Sequence, residues 1–500
     1  MDNGYFRAIQ YDLEDLLKEL SRQCLQIKQG IKEQQQTGAI YASHPVATDL
    51  DSIVWLKNFA QGQCDPDTRE RAMRTYFACV GQFSRMDLLL RDQALAQFMV
   101  EARVQVGDQA VSLAEMEGWL MSQEDFFERE AILEAARPLF QKASLMKAKI
   151  WEGLCNILQE DFGYSGYLEF FQEKKGLDLE ALVAECLEFL EITKESYLRG
   201  VLPWVESSLG REPRGVSHLH MLRLMQSDGV VLPSAGTGIV KAFKNLLDGL
   251  GFEGVMGSRI HLDAEPRKGK AVLSRCVPVS VPDEIYITLK PLGGLGDLEA
   301  GLHELGHALQ LCHADPKLAY PYRHLPRSYA LTECFGFLME ALVRDPQFLS
   351  FQLGLSDKEA EAICIERRRK GLYVMRRYAG KLLFQKEFLD KAVWKDWECY
   401  PKWLDWATAM RHEPCEALLD LEEELYSADY LRAWAGEVLL RGYIKEQFGP
   451  RWFVSRDAGE FLRRLWAPGE SFGLEEVLSS LGLGAPRLEV LYKDFLEWSD

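Results

Sequence analysis

Two histidines and a glutamate near the middle of the chain form the pattern H-E-x-x-H, at His303, Glu304 and His307. On a helix, residues four apart share one face with their Cβ atoms about 5–6 Å apart, so both imidazoles can reach one metal ion. Glu304 is one step round the helix from His303, where its carboxylate can contact a metal-bound water without being a ligand. The spacing predicts a catalytic zinc site in which Glu304 is the general base.

The segment that carries this motif has the features of a helix. A glycine-rich turn at 293–296 precedes it, and Asp297 is a candidate N-cap for a helix over 298–311. Leucines recur there at three- and four-residue intervals and predict a buried stripe. A glycine inside a helix costs about 1 kcal/mol relative to alanine, so Gly306 indicates a close neighbour on its face.

A catalytic zinc ion takes three protein ligands, so a third residue must come from elsewhere in the chain. Periodicity after Pro326 predicts a second helix over 329–343, with Glu333 one turn in among apolar residues. A carboxylate near an apolar face is costly to bury unless it is paired or bound to a metal. Glu333 is therefore the favoured third ligand, and His324, in a proline-rich loop, is the alternative.

Two further carboxylates could support the ligands. A ligating histidine usually donates its other ring N–H to a carboxylate or a carbonyl. Glu299 is four residues before His303 and could hold that imidazole in orientation. Glu340 lies two turns after Glu333 on roughly the same face. It could support a metal ligand or be a solvated carboxylate.

The predicted site has the parts that peptide-bond hydrolysis needs. With zinc in place, the pKa of a bound water falls toward about 7 and a substrate carbonyl is polarised. Glu304 can take the proton of that water and pass it to the leaving amine. The oxyanion of the tetrahedral intermediate also needs a donor, for which a tyrosine or histidine from a distant segment is suited.

The sequence around the motif resembles the thimet oligopeptidase and oligoendopeptidase F family, which are zinc metallopeptidases of the gluzincin type. The 25 residues between His307 and Glu333 are a spacing similar to that of the family. An upstream segment is similar to the family's D-x-x-x-R-x-G-K element, and its matching residues are Asp263, Arg267, Gly269 and Lys270. The resemblance is specific over 255–345, looser to about residue 450 and weak before residue 210.

Tyr426 and Tyr430 resemble the tyrosine-rich loop that reaches over the zinc in this family. The resemblance implies that these hydroxyls hydrogen-bond the substrate carbonyl, with Tyr430 as the oxyanion donor. The chain has Leu421 and Ala433 where the thimet-type loop has a histidine and a further tyrosine. Ordinary half-buried aromatic residues are the alternative interpretation of Tyr426 and Tyr430.

Valine and isoleucine in residues 271–289 predict two short strands just before the motif. Pro278 and Pro282 break this segment, and a strand that contains proline is expected at the edge of a sheet. Such an edge beside the zinc helix lets an extended peptide add as a further strand, an arrangement that the resemblance also implies. A small sheet without substrate contact is the alternative.

Length and periodicity predict a fold that is mainly α. The chain has 500 residues, more than one hydrophobic core usually supports, so two helical lobes are expected. A cluster of Gly, Pro and Arg suggests a boundary between an N-terminal helical region, 1–207, and a catalytic region, 208–500. The resemblance implies a deep substrate cleft between the lobes, and a small antiparallel sheet is expected beside the zinc helix.

Composition limits the partners and the location. A net charge of −18 argues against nucleic acid or an anionic membrane as a partner. No apolar stretch approaches the length of about 18 residues that a membrane span needs, and the first residues do not resemble a secretory signal. Eleven cysteines without a pairing pattern indicate reduced thiols and therefore a cytoplasmic protein.

These features predict a zinc-dependent oligopeptidase that hydrolyses short, unfolded peptides, with one Zn²⁺ bound by His303, His307 and Glu333. Two alternatives stay open. One is a metallocarboxypeptidase similar to the Taq carboxypeptidase group, which would release single C-terminal residues instead of internal fragments. The other is a non-catalytic peptide-binding protein with a structural zinc ion, against which the intact Glu304 argues because a structural site needs no base.

Overall fold

Helices form most of the computed structural model, which describes residues 2–31, 36–63, 65–107, 109–226, 235–267 and 269–496. The helices up to residue 209 are α1 Asp2–Lys28, α2 Thr37–Ser43, α3 Leu50–Gln61, α4 Pro66–Asp87, α5 Leu89–Glu101, α6 Met116–Ser122, α7 Phe126–Glu160, α8 Tyr167–Lys175, α9 Leu179–Ile192, α10 Lys194–Ser196 and α11 Leu202–Leu209. The later helices are α12 Met221–Gln226, α13 Ala235–Leu250, α14 Leu295–Cys312, α15 Tyr320–His324, α16 Ala330–Glu340, α17 Pro346–Leu353, α18 Asp357–Lys391, α19 Cys399–Thr408, α20 Ala417–Asp420, α21 Tyr426–Phe448, α22 Arg456–Trp466, α23 Leu474–Ser480 and α24 Glu489–Leu496. The strands are β1 Arg103–Val106, β2 Gln109–Ser112, β3 Ile260–Asp263, β4 Arg275–Ser280 and β5 Glu284–Thr288.

The helix that carries the H-E-x-x-H motif, α14, begins at Leu295, earlier than the predicted start at residue 298. Asp297 does not cap this helix. Its carboxylate accepts hydrogen bonds from the backbone N–H groups of Leu292 at 2.9 Å and Gly293 at 2.6 Å. Gly293 and Gly294 have φ values of 92° and 110°, in a region that favours glycine. Asp297 therefore fixes the glycine turn that leads into the helix.

A three-stranded sheet in the order β3-β5-β4 packs beside α14. β4 and β5 are the two predicted strands, and they pair antiparallel. β3, which the sequence analysis did not predict, pairs with the other side of β5 in parallel. β4 contains Pro278 and lies at the edge of the sheet, which confirms that prediction. Val277 and Val279 of β4 pack against Leu25 of α1, which covers one face.

The main hydrophobic core includes side chains from both sides of residue 207, among them Leu13, Trp151 and Phe243. α16 packs against both α14 and α21 as part of it. The predicted fold class, mainly α with a small sheet beside the helix that carries the H-E-x-x-H motif, is confirmed. The division into 1–207 and 208–500 stays a prediction. None of the described helices combines the length and apolar character that crossing a lipid bilayer requires.

Two histidines stack where distant segments of the chain meet. The rings of His218 and His412 have centroids 4.0 Å apart and planes at 11°. Backbone hydrogen bonds of 3.0 Å join the same segments, from the N–H of His218 to the oxygen of Arg411 and from the N–H of Arg411 to the oxygen of Val216. Burial lowers the pKa of His218 to about 3 and that of His412 to about 4. Both rings are therefore neutral in the folded protein at pH 7.

Acid should destabilise the fold through His412, which is 2% exposed. An unfolded histidine has a pKa of about 6.5, so between about pH 6.5 and pH 4 the unfolded state binds a proton that the folded state does not. The stability that the neutral ring contributes is present above pH 6.5 and is lost as the pH falls. We expect this group to lower the free energy of unfolding by roughly 1.4 kcal/mol per pH unit over that range.

Urea unfolding of the wild type and of His412→Gln at pH 7 and at about pH 4.5 measures this effect. The variant has no imidazole to protonate, so its destabilisation relative to the wild type should shrink at the lower pH. A destabilisation that is equal at both values would show that His412 is not the group responsible.

Candidate metal centre

Helices α14 and α16 approach each other at two glycines. A Cβ atom on Gly306 would collide with the carbonyl oxygen of Phe335 and lie 2.8 Å from the Cα of Gly336. A Cβ atom on Gly336 would lie 2.8 Å from Cε1 of His307 and 2.9 Å from Cε1 of His303. The close neighbour predicted for Gly306 is thus the backbone of α16. Without Cβ atoms at these positions, the carboxylate that α16 carries can reach both imidazoles.

The ligand atoms of His303, His307 and Glu333 surround one point. The Nε2 atoms of His303 and His307 are 3.0 Å apart. Oε2 of Glu333 is 3.2 Å from Nε2 of His303 and 3.6 Å from Nε2 of His307. Bonds of about 2.0–2.1 Å to one ion at tetrahedral angles place ligand atoms about 3.3 Å apart. Oε2 of Glu333 is buried and has no hydrogen-bond partner among the described residues. The residues present therefore fit a zinc ion, and the structure brings all three predicted ligands together.

The charges at the site suit a cation. Glu333 is 3% exposed, and burial alone would raise its pKa. The two imidazoles and a hydrogen bond from Tyr426 outweigh burial and lower the pKa below its usual value. Burial lowers the pKa of His307. Burial acts to lower the pKa of His303 as well, but hydrogen bonds to Glu333 and Glu340 and their charges raise it well above its usual value. Metal ligation needs a carboxylate and neutral imidazoles, so a bound ion would displace the proton that His303 carries.

Glu340 supports His303, as one of the two interpretations of its position predicts. Its Oε2 lies 2.9 Å from Nδ1 of His303 and leaves the Nε2 atom free as the ligand. The same role predicted for Glu299 is wrong, because Glu299 pairs with Arg367 of α18. Nδ1 of His303 faces α16, where Glu340 is its partner, so the group that orients this ring comes from the other helix.

His313 and His324, the next two histidines after the motif in the sequence, lie outside this group. His324, the alternative third ligand, packs against Tyr320 within α15 at a ring distance of 5.9 Å. His313 packs between Phe252 and Trp466, with ring centroids at 4.9 and 5.5 Å. Among the described residues, the set that could hold a metal ion contains neither of them.

Glu304 faces the edge of the sheet. Its Oε2 accepts a hydrogen bond of 2.6 Å from the backbone N–H of Cys276 in β4. Because that N–H bonds to Glu304, it points away from β5 and belongs to the free edge of the strand. The half-buried Glu304 carboxylate thus lies between the ligand helix and an unpaired strand edge.

Tyr426 and Tyr430 lie beside the ligands with ring centroids 4.9 Å apart. The hydroxyl of Tyr426 donates a hydrogen bond to Oε1 of Glu333. The hydroxyl of Tyr430 has no hydrogen-bond partner among the described residues, and its ring packs on Phe337, which also contacts His303. Burial and then the charge of Glu333 raise the pKa of both tyrosines well above the usual value. Both hydroxyls are therefore protonated donors near neutral pH.

A buried ion pair that the sequence analysis missed fixes the start of α16. Asp429 accepts hydrogen bonds from the hydroxyl of Ser328 at 2.7 Å and from the backbone N–H of Tyr329 at 3.1 Å. It also pairs with Lys175 of α8, and both charged side chains are 0% exposed. A residue from the N-terminal helical region thus helps to position the helix that carries Glu333. The two partners are 254 residues apart, so no local spacing signals the pair.

The D-x-x-x-R-x-G-K element builds the loop between β3 and β4. The Nζ of Lys270 donates to Oδ1 of Asp263 at 2.8 Å and to the carbonyl oxygens of Asp263 and Glu265, both at 2.9 Å. Arg267 pairs with the same aspartate. Gly269 has a φ of 77°, which favours glycine. The residues of the D-x-x-x-R-x-G-K element therefore stabilise the loop that leads into the edge strand β4.

Comparisons with known proteins identify the fold. No family model matches the chain, and no curated protein matches it. PZ peptidase A with an inhibitor matches with a TM-score of 0.68 and 13% identity over 100% of this chain and 98% of that one. A Bacillus anthracis str. Ames structure assigned as an oligoendopeptidase F matches with a TM-score of 0.63 and 15% identity over 96% and 88% of the two chains. The M32 carboxypeptidase from Deinococcus radiodurans R1 gives a TM-score of 0.57 and 14% identity over 99% and 98%.

These identities establish a shared fold along nearly the whole length of the chain. The helical fold that the sequence predicted is thus shared with the structure assigned as an oligoendopeptidase F and with the M32 carboxypeptidase.

Gly336→Ala should weaken zinc binding. Its methyl group would press on both imidazoles, at 2.8 and 2.9 Å, and push the helices apart. We expect an affinity at least about tenfold lower, measured by competition with a chelating dye, as is typical when groups that orient ligands are disturbed. Gly442→Ala is the matched control, because a Cβ there meets nothing within 4 Å. Equal zinc affinities in the two variants would contradict the role given to Gly336.

Proposed function

We propose that the chain is a zinc-dependent metallopeptidase that hydrolyses short, unfolded peptides at internal bonds. The observation that carries this proposal is the position of Glu304, between a three-residue set that fits zinc and the free edge of β4. A structural zinc site has no use for a carboxylate there. The fold shared with an oligoendopeptidase F and with PZ peptidase A supports the same chemistry.

Glu304 is the general base in this proposal. The group His303, His307 and Glu333 would hold one Zn²⁺, which when bound supplies a Lewis acid for the scissile carbonyl and lowers the pKa of a water toward about 7. Glu304 accepts the proton of the attacking water and delivers it to the leaving amine. The N–H of Cys276, at 2.6 Å from Oε2, orients the carboxylate for both transfers.

The two tyrosines have different roles in the proposal. The hydroxyl of Tyr430 is protonated and without a partner in the described part of the chain, so it can donate to the oxyanion that forms on the substrate. Tyr426 already donates to Glu333 and therefore orients a ligand. Glu340 does the same for His303 through Nδ1.

The edge of β4 gives the substrate its orientation. The N–H and C=O of a residue in an antiparallel ladder point to the same side, so Cys276 also presents its carbonyl at the free edge. A peptide that pairs with this edge is extended and passes Glu304. This requirement favours unfolded peptides as partners over folded proteins.

We also propose a cytoplasmic location and no nucleic-acid or membrane partner. The ten cysteines in the described part of the chain are unpaired, which is typical of a reducing compartment. The net charge of −18 repels polyanions.

The likeness to an M32 carboxypeptidase favours a second candidate, a metallocarboxypeptidase. The general base and the zinc ligands would be the same in both candidates. They differ in which peptide bond is cleaved, an internal bond or the last bond before the C-terminus. Internal fragments support the oligopeptidase, and single C-terminal residues support the carboxypeptidase.

Zinc-loaded protein should cleave a pool of peptides of about 5–20 residues, a length suited to a narrow cleft. Mass spectrometry of the products reads the cleavage positions. Glu304→Gln keeps the ligands but removes the base, so activity should fall by about 10²–10⁴-fold at unchanged zinc content. Intact peptides in both samples, with zinc confirmed in place, would rule out the peptidase and leave a peptide-binding protein.

Tyr430→Phe and Tyr426→Phe should affect different parameters. Loss of an oxyanion donor costs about 10²–10³-fold in kcat, so we expect Tyr430→Phe to lower kcat with zinc affinity unchanged. Tyr426→Phe removes a partner of Glu333 and should weaken zinc binding by about 10–100-fold, with most of kcat kept at saturating zinc. The reverse assignment of these two effects would contradict the roles given to the tyrosines.

A further inference from the structure

The first residue of β4 places a positive charge at the edge that adjoins the candidate metal centre. Arg275 is exposed, and the next residue, Cys276, donates its N–H to Glu304 at 2.6 Å. Pairing of Arg275 with Thr288 of β5 fixes its place in the sheet. Its side chain makes no ion pair with any described residue. Arg275 is therefore a cation held in place by the backbone but free to bind a ligand.

Three other cations, on α8 and α18, are neutralised by carboxylates. The guanidinium of Arg377 is 2.6 Å from Asp420, and Lys381 is 3.1 Å from the same residue. Lys174 is 2.5 Å from Glu424. These charges are committed to the fold, whereas Arg275 is not.

The Arg275 charge acts on groups from two other elements. The loop before β4 contacts α6, since a Cβ on Gly118 would lie 3.0 Å from Cγ2 of Val272. Burial raises the pKa of Glu117 in α6, and the charge of Arg275 is the largest influence that opposes this shift. Burial also raises the pKa of Tyr430, and Arg275 again opposes it. The guanidinium thus acts in the region between α6, the β4 edge and the proposed oxyanion donor.

An extended peptide that adds to β4 would place one residue directly opposite Arg275. Side chains opposite each other in neighbouring strands lie on the same face, with Cβ atoms about 4.5–5.5 Å apart. Guanidinium groups bind carboxylates through two parallel N–H···O bonds, which adds geometric selectivity to the charge.

We propose that Arg275 binds a carboxylate of the peptide substrate and so makes the enzyme prefer peptides that carry a negative charge near the scissile bond. The carboxylate is that of an aspartate or glutamate side chain, or the C-terminal carboxylate of the peptide. This inference rests on the proposed peptidase function and adds a specificity-determining residue to it.

The test uses a series of octapeptides in which glutamate replaces glutamine at each position in turn, each made with a free or an amidated C-terminus. We expect one glutamate position, or the free C-terminus, to raise kcat/KM by roughly tenfold in the wild type, mainly through KM. A positional effect that survives amidation identifies the side chain, and one that amidation removes identifies the C-terminal carboxylate. In Arg275→Gln the preference should vanish, and in Arg275→Lys part of it should return.

Arg199→Gln is the matched control, because it removes an equal charge from a side chain that is 80% exposed and paired with Glu195. It should keep the full preference. A wild type that cleaves the neutral peptides without any preference for a carboxylate, or a preference that persists in Arg275→Gln, would overturn the inference while the peptidase proposal stands.

If no peptide is cleaved, binding separates the two proposals. Fluorescence anisotropy of labelled peptides with the zinc-loaded protein should still show roughly tenfold tighter binding of the glutamate or free-carboxylate peptide, lost in Arg275→Gln. That outcome would remove the peptidase proposal and keep the carboxylate site. Equal binding of charged and neutral peptides would overturn the carboxylate site as well.

Discussion

The close approach of α14 and α16 is the constraint on which the metal centre depends. One helix carries both histidines and the other carries Glu333, and packed helices are usually about 8–10 Å apart. Gly306 and Gly336 remove the Cβ atoms that would hold the backbones apart. Only then do the ligand atoms lie 3.0–3.6 Å from one another. Because a protein interior has little free volume, even one methyl group at this contact must displace ligands.

The same approach places charge in a buried position, and the surroundings compensate for it. Glu333 faces two imidazoles and accepts a hydrogen bond from Tyr426, which together offset the cost of burial. At the start of α16, Asp429 is neutralised by Lys175 from the N-terminal helical region. Removal of one partner of such a pair costs about 3–5 kcal/mol, since the other charge remains buried. The geometry of the ligands therefore depends on residues far away in the sequence.

The sequence predicted those parts of the site that follow from local chemistry. The histidine spacing, the acidic third ligand and the proline-bearing edge strand each depend on residues within one element, and all lie where expected. The rule that singled out Gly306 applies equally to Gly336 and could have found it. Helical spacing could not show which way Nδ1 of His303 faces, so the prediction that Glu299 orients this ring was wrong. The pair of Lys175 and Asp429 depends on how helices pack, which no local pattern records.

Zinc K-edge X-ray absorption spectroscopy of the zinc-loaded protein is the most direct test of the metal centre. Two imidazole nitrogens and oxygen ligands at about 2.0–2.2 Å, with one zinc ion per chain, are the expected result. Sulfur scattering at about 2.3 Å would contradict the assignment, because it would require a cysteine such as Cys276 in place of one of the three residues. A single imidazole nitrogen per zinc ion would also contradict the assignment, because His303 and His307 would then not bind the same ion.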